Sequence, residues 1–211
     1  MNYNEEIFGK LPDRPTHLSL KLTSVNEQFC DGALVLKNFN MELEFDNGRT
    51  ILPFSAVIPK AQAPFPAVVI IGKDKDYSTY CKKWTDKGYV VIYLYYGDIS
   101  EVNGNFKSGI SAFISPTRRK KSSAGKITVF SWAAIRALEC AEVFDEIDKS
   151  NIGVAGNGIF GLSAILAKEV CDRFTFVSTD DLPQISKEFI RDNPHLFCPK
   201  QANFALIDNN S

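Results

Sequence analysis

Three unbroken apolar runs constrain the fold more than anything else in the chain: residues 66–72 (PAVVIIG), 89–95 (YVVIYLY) and 151–156 (NIGVAG). A strand with one wet face alternates polar and apolar residues, so a run that is apolar throughout needs cover on both faces. The segments between these runs carry helical signals. Residues 77–87 have helical character and close on Gly88, which suits the position just past a helix C-terminus. Ile127, Phe130, Ala134, Ala137, Leu138, Ala141 and Phe144 recur at helical spacing and predict a long amphipathic helix. Residues 159–170 are apolar on nearly every side, as for a short helix buried against the sheet centre, and 174–178 supply a fourth strand. Strands alternating with helices predict a mostly parallel sheet in a three-layer α/β/α sandwich with right-handed crossovers.

The first 60 residues have a different texture. Strand signals at 18–22, 32–35, 41–45 and 51–58 are separated by Asn, Asp and Gly, and Asp46-Asn47-Gly48 has the composition of a tight hairpin turn. An antiparallel entry region (1–60) leading into a parallel α/β core (61–211) is expected, all in one domain. A chain of 211 residues, 45% hydrophobic and 23% charged, suits a single core.

Charge removes several function classes. With 24 basic and 25 acidic residues the net charge is −1, so no whole-molecule field gathers nucleic acid or anionic membrane. Arg118-Arg119-Lys120-Lys121, set among Ser, Thr, Pro and Gly, reads as a mobile, solvated loop. The first 20 residues contain no apolar run that would serve as a signal or anchor, and no later stretch approaches a spanning length. Five scattered cysteines without a CxxC pair suggest reduced thiols in the cytosol, with Cys140 and Cys171 as small buried hydrophobes. No metal-ligand cluster is visible, and GVAGNG lacks the downstream acid of a dinucleotide site, so no cofactor is expected.

In doubly wound sheets, ligands sit at the carboxyl ends of strands, and the sharp turn from a central strand into a buried helix is where a nucleophile is best presented. Here that turn is Gly156-Asn157-Gly158-Ile159-Phe160-Gly161-Leu162. Several segments in order resemble the glucuronoyl esterases and related acetyl-xylan-esterase-like members of the α/β-hydrolase superfamily, over roughly residues 41–204. They are Tyr95-Tyr96-Gly97-Asp98-Ile99, Phe106-Lys107-Ser108-Gly109-Ile110, Ser131-Trp132-Ala133 leading into Arg136-Ala137-Leu138, the elbow itself, and Phe189 through Pro194-His195-Leu196-Phe197-Cys198.

The resemblance implies an α/β-hydrolase fold with a degenerate elbow. Where the family places a nucleophilic Ser, an oxyanion-holding Arg and often a substrate-binding Lys, this chain has Gly158, Ile159 and Leu162, with Asn157 in front. Glycine has neither hydroxyl nor thiol, so covalent ester hydrolysis has no attacking atom there. The family's catalytic His comes from a loop after later strands. The chain ends at Ser211, so the fold is expected truncated at its C-terminus and without that base; His17 and His195 read as surface or packing residues. The turn after the first apolar strand, Gly72-Lys73-Asp74-Lys75-Asp76, is charged where hydrolases often carry a glycine-rich oxyanion loop.

The expectation is a catalytically inactive hydrolase-fold protein that binds a small-molecule or carbohydrate-like ligand, or a protein partner. The alternative is an active hydrolase with relocated groups, using Ser178 or a Cys, or completed by another chain. Candidate ligand contacts are Gly72, Lys73, Asp98, Asn157, Ser178, Asp180 and Asp181. For Asp180 and Asp181, capping of the next helix competes with ligand contact. An unpaired sheet edge, with 204–207 as either the next strand or the start of an unfinished connection, also suggests a homodimer.

Overall fold

The computed structural model describes residues 4–75, 78–116 and 118–200, with 78–81 described by backbone alone. Asp76, Tyr77 and the 204–207 run lie outside the described residues, as does the side chain of Cys81.

A short helix α1 (Glu5–Phe8) precedes three long strands, β1 (His17–Phe29), β2 (Leu34–Phe45) and β3 (Gly48–Pro59), which form an antiparallel meander. Then β4 (Phe65–Gly72), α2 (Ser78–Thr85), β5 (Val90–Tyr95), the single turns α3 (Tyr96–Ile99) and α4 (Ser111–Ile114), α5 (Lys126–Ala141), β6 (Ile147–Asn157), α6 (Ile159–Val170), β7 (Val177–Asp180) and α7 (Lys187–Asp192) follow. All seven strands join one sheet in the order β1-β2-β3-β5-β4-β6-β7, antiparallel up to β5 and parallel beyond it.

The apolar runs are apolar because both faces are covered. Ala67, Val69 and Ile71 of β4 pack with Val129, Phe130 and Ala133 of α5 and Phe160 of α6. Val68 and Ile70 face the other way, against Trp84 of α2. Trp84 stacks in turn on Phe176 at 6.0 Å between centroids, and Tyr89 closes the group edge-on. Gly88 follows α2 with φ +81°, and the Tyr89 amide returns to the Trp84 carbonyl.

The meander departs from the expected short strands. The signals at 32–35 and 41–45 belong to one strand, β2. Leu34 and Leu36 are buried on the Trp84 face, whereas Phe39, Met41 and Leu43 are buried on the α5 face. The apolar side therefore switches from even to odd positions, because α2 covers only the first part of its face and leaves Asn38, Asn40, Glu42 and Glu44 outside. A fixed alternation breaks at that switch although the backbone ladder continues. β1 likewise runs on to Phe29 instead of stopping at Leu22, and its two bulges, after Leu22 and after Asn26, keep its free edge irregular. In the hairpin turn, only Gly48 has a positive φ, +133°, while Phe45 pairs directly with Gly48.

The fourth parallel strand also shifts. β7 is Val177–Asp180, and Phe174 is a fully buried plug in the approach to it. Of the basic stretch, Arg118, Lys120 and Lys121 are exposed, but Arg119 folds back over the Phe106 ring at 3.8 Å and donates to the Ala124 carbonyl. Among the described residues no helix is long and apolar enough to cross a membrane, and no cluster of three metal-ligating side chains occurs.

Candidate functional site

β6 and α6 meet at one residue. β6 ends at Asn157, α6 begins at Ile159, and Gly158 between them has φ +57° and ψ −125°. L-residues enter that region only under strain. α6 is anchored by Phe160, Ala164 and Ala167 toward the sheet and by Leu162 and Leu166 toward Phe8 and Ile127. Both ends of the elbow are thus fixed by packing, and the chain must reverse within residue 158.

The three glycines of the elbow do different work. A Cβ on Gly156 would lie 2.6 Å from the Phe160 carbonyl group, and one on Gly161 would lie 2.9 Å from the Gly156 carbonyl oxygen. Strand end and helix start approach too closely for side chains at either place. A Cβ on Gly158 would meet nothing nearer than the Asp181 carbonyl oxygen at 4.0 Å. Space for a side chain remains at the apex, and only the backbone angles favour glycine.

Beside the apex, the Gly158 amide donates to the Asp180 carbonyl at 3.2 Å. Asn157 pairs with Asp180 across β6 and β7, and Ser178 pairs with Ala155 two residues back. The Asp180 carboxylate accepts from Lys83 at 3.0 Å. Asp181 is exposed with φ +51°. Neither aspartate caps a helix: the cap of α7 is Ser186, whose hydroxyl accepts from the Phe189 amide at 3.1 Å. The helix-cap reading of these aspartates is therefore corrected.

Ile159 is half-buried and packs into the core, and Leu162 is buried. Phe160 turns inward, edge-on to Phe130 at 5.1 Å and 5.9 Å from Tyr96. What the apex can offer chemically is the first-turn amides of α6, which have no carbonyl partner within the helix, and the positive end of the helix dipole. Those groups can receive an oxygen; they cannot attack a carbon.

The remaining candidates separate into two places. Gly72 ends β4, next to β6, and lacks a side chain because the Tyr93 ring fills the space: a Cβ there would lie 2.0 Å from the Tyr93 hydroxyl. That hydroxyl donates to the Asp74 carbonyl at 2.6 Å, and Lys73 is exposed beside it. Asp98 stands apart, on the far side of β5, where it lines a cleft of about 310 Å³ with Lys75, Tyr93, Tyr95, Asn38, Asn40 and Ser55. Burial pushes the Asp98 carboxyl above its ordinary range, against the opposing pull of Lys75.

The two histidines belong to other parts of the fold. His17 starts β1, five strand spacings from β6, about 24 Å. His195 is half-buried in the turn after α7; burial and then the neighbouring Lys126 and Arg119 charges hold its imidazole below the usual range, against a hydrogen bond with the Val102 backbone. Four buried hydroxyl and thiol groups are held by backbone contacts or by burial. Ser163 donates to the Ile159 carbonyl at 3.0 Å and Ser131 to those of Ile127 and Ser163 at 2.8 Å. Burial pushes the Cys140 thiol far up, and the Cys198 thiol donates to the Glu6 carbonyl.

No family model matches the chain, and no curated protein matches it. Solved structures do. A glucuronoyl esterase from Solibacter usitatus superposes with a TM-score of 0.77 at 22% identity, over 94% of this chain and 64% of that one. A carbohydrate esterase family 15 glucuronoyl esterase from Teredinibacter turnerae gives 0.76 at 19%, over 95% and 57%. A candidate acetyl xylan esterase from Bacteroides fragilis gives 0.58 at 14%, over 84% and 51%. The chain therefore spans about three fifths of the length of the first two of these structures. At such identities the likeness is one of architecture, and the architecture is clear: the chain has the α/β-hydrolase fold in the form shared by the glucuronoyl esterases.

Proposed function

We propose that this chain is a non-hydrolytic relative of the carbohydrate esterases that binds a small carbohydrate-like ligand at the carboxyl ends of its parallel strands. One observation carries the reading. The residue at the strained apex between β6 and α6, where an attacking oxygen would stand, is Gly158. The space for a side chain is there and the side chain is not.

Electrostatic stabilisation without a nucleophile is a separate effect, worth about 3 kcal/mol per donor in working hydrolases. Amides at the start of α6 supply that kind of contact to a bound oxygen, which suits retention of a ligand. The substitution of Ile159 where the resemblance places an arginine removes the charged part of such a cradle.

The experiment is an assay of purified protein on aryl acetates and on a methyl glucuronate ester, beside a heat-treated control. Rates equal to the control are expected. Turnover well above it would overturn the reading and favour relocated catalytic groups, which a fluorophosphonate or iodoacetamide probe would then locate.

A further inference from the structure

The pairing of β3 with β5 lasts only three residues, Ser55 with Tyr93 through Val57 with Val91. Two positions beyond it stands Pro53, which has no N–H to donate to a continuing ladder. The sheet therefore splits at its carboxyl end. One lip of the split is built from Asn40, Pro53 and Phe54, the other from Tyr95 and Asp98, with Lys75 beside them. At about 310 Å³ the cleft falls at the small end of ligand pockets, which run from about 300 to 1,000 Å³.

The lining is chemically mixed in a specific way. Phe39 and Phe54 contribute to its lining from the strands, while their rings, stacked at 5.2 Å, are buried in the core on the α5 face. Tyr95 gives it an aromatic wall, held by Tyr96 edge-on at 5.0 Å and with the Lys75 amine 5.2 Å from its ring centroid. Thr23, Asn38, Asn40 and Ser55 add neutral donors and acceptors, pre-arranged by contacts such as Ser55 to Asn38 at 2.6 Å and Asn38 to Ser24 at 2.9 Å. The two charged groups, Lys75 and Asp98, have opposite signs.

We propose that this cleft binds a neutral monosaccharide unit, with its C–H face on Tyr95 and its hydroxyls on Asn40, Asn38, Ser55 and Asp98. A buried hydroxyl must find a partner or cost free energy, and a ring of hydroxyls demands many neutral partners in a small space. That is what the lining supplies. An acidic sugar gains from Lys75 what it loses to Asp98, so the desolvation of its carboxylate is not offset and the cleft favours the neutral sugar. The inference goes beyond the proposed elbow site: it names a second, separate site in the split between β3 and β5.

The test titrates methyl β-glucopyranoside and methyl β-glucuronoside, alike except for one carboxylate, into labelled protein followed by amide chemical shifts. The neutral glycoside is expected to move Asn38, Asn40, Ser55 and Tyr95, to bind more tightly than the acidic one, and to leave Asn157 through Leu162 still. Tyr95→Ala should weaken it about three- to tenfold, the worth of an aromatic face. Asn40→Ala, on a strand held from both sides, should weaken it with an unchanged melting temperature, which covers the case in which Tyr95→Ala fails to fold. Shifts confined to the elbow, tighter binding of the glucuronoside, or no binding would each overturn the cleft assignment. None of these is ester turnover, so failure here is distinct from failure of the non-hydrolytic reading.

Discussion

The amide of Gly158 donates to the carbonyl of Asp180 across 3.2 Å, so the elbow is tied to β7 through backbone alone. A side chain added at residue 158 leaves that bond intact and points into open space, with the nearest atom 4.0 Å from its Cβ. The cost of Gly158→Ser is then the strained φ and ψ, about 1–3 kcal/mol. At about 2–4 °C per kcal/mol for a chain of this size, the variant should fold with a modestly lower melting temperature. It should not hydrolyse aryl acetates, because a serine without a base is a weak nucleophile. Hydrolysis by the variant, blocked by a fluorophosphonate, would reveal a base that the positions of His17 and His195 do not provide.

The flanking glycines should behave in the opposite manner. Gly156→Ala drives a Cβ to 2.6 Å from backbone atoms of Phe160, and backbone cannot swing aside. Gly161→Ala meets the Gly156 carbonyl oxygen at 2.9 Å, together with the exposed Leu182 side chain, which can move. Overpacking of this kind costs about 1–3 kcal/mol and occasionally more. Denaturant unfolding should rank Gly156→Ala as most damaging, then Gly161→Ala. Gly158→Ala meets no atom nearer than 4.0 Å and should cost only its backbone strain, and a Gly156→Ala milder than Gly161→Ala would contradict the elbow geometry.

The elbow was legible in the sequence because its cause is local: a buried strand, three glycines and a buried helix follow one another within the twenty residues 151–170. The cleft beside Asp98 was not, because it depends on where β3 and β5, far apart in the chain, cease to pair. Asp98 could be named as a candidate, but Asn40 and Lys75 become its neighbours only through sheet order. The division of β2 into two strands failed for a related reason: the cover on one face ends partway, and a period-two pattern cannot show which helix lies above which residue. Asp180 and Asp181 drew a capping assignment from their residue type, yet α7 begins seven residues after Asp180, where Ser186 takes that role.

The ion pair between Lys83 and Asp180 lies at 3.0 Å, but its side chains are 51% and 56% exposed. Pairs in such surroundings contribute at most about 1 kcal/mol and often less. Lys83→Ala and Asp180→Ala should each shift the unfolding midpoint only slightly, since the contact that holds the elbow is the Asp180 carbonyl. A large loss from Asp180→Ala with none from Lys83→Ala would mean that the carboxylate has a further partner at the apex.

Lys126 offers a pH test of the core itself. It opens α5 fully buried, and its ammonium contacts the Ser100 hydroxyl, the Asn105 carbonyl and the face of Phe106. Burial, then the Arg119 charge, lowers its pKa from 10.5 to about 8, with Glu101 opposing. Because the folded value is the lower one, the unfolded chain holds more protons between about pH 8 and 10.5. Stability must then rise with pH across that window, by up to about 1.4 kcal/mol per pH unit from this group. Below the window both states are protonated and the burial cost is carried in full. Lys126→Met removes the titrating group and keeps the stem, so the difference in unfolding free energy between native chain and variant should slope upward between those pH values. Parallel profiles would place the ammonium in an environment as wet as the surface.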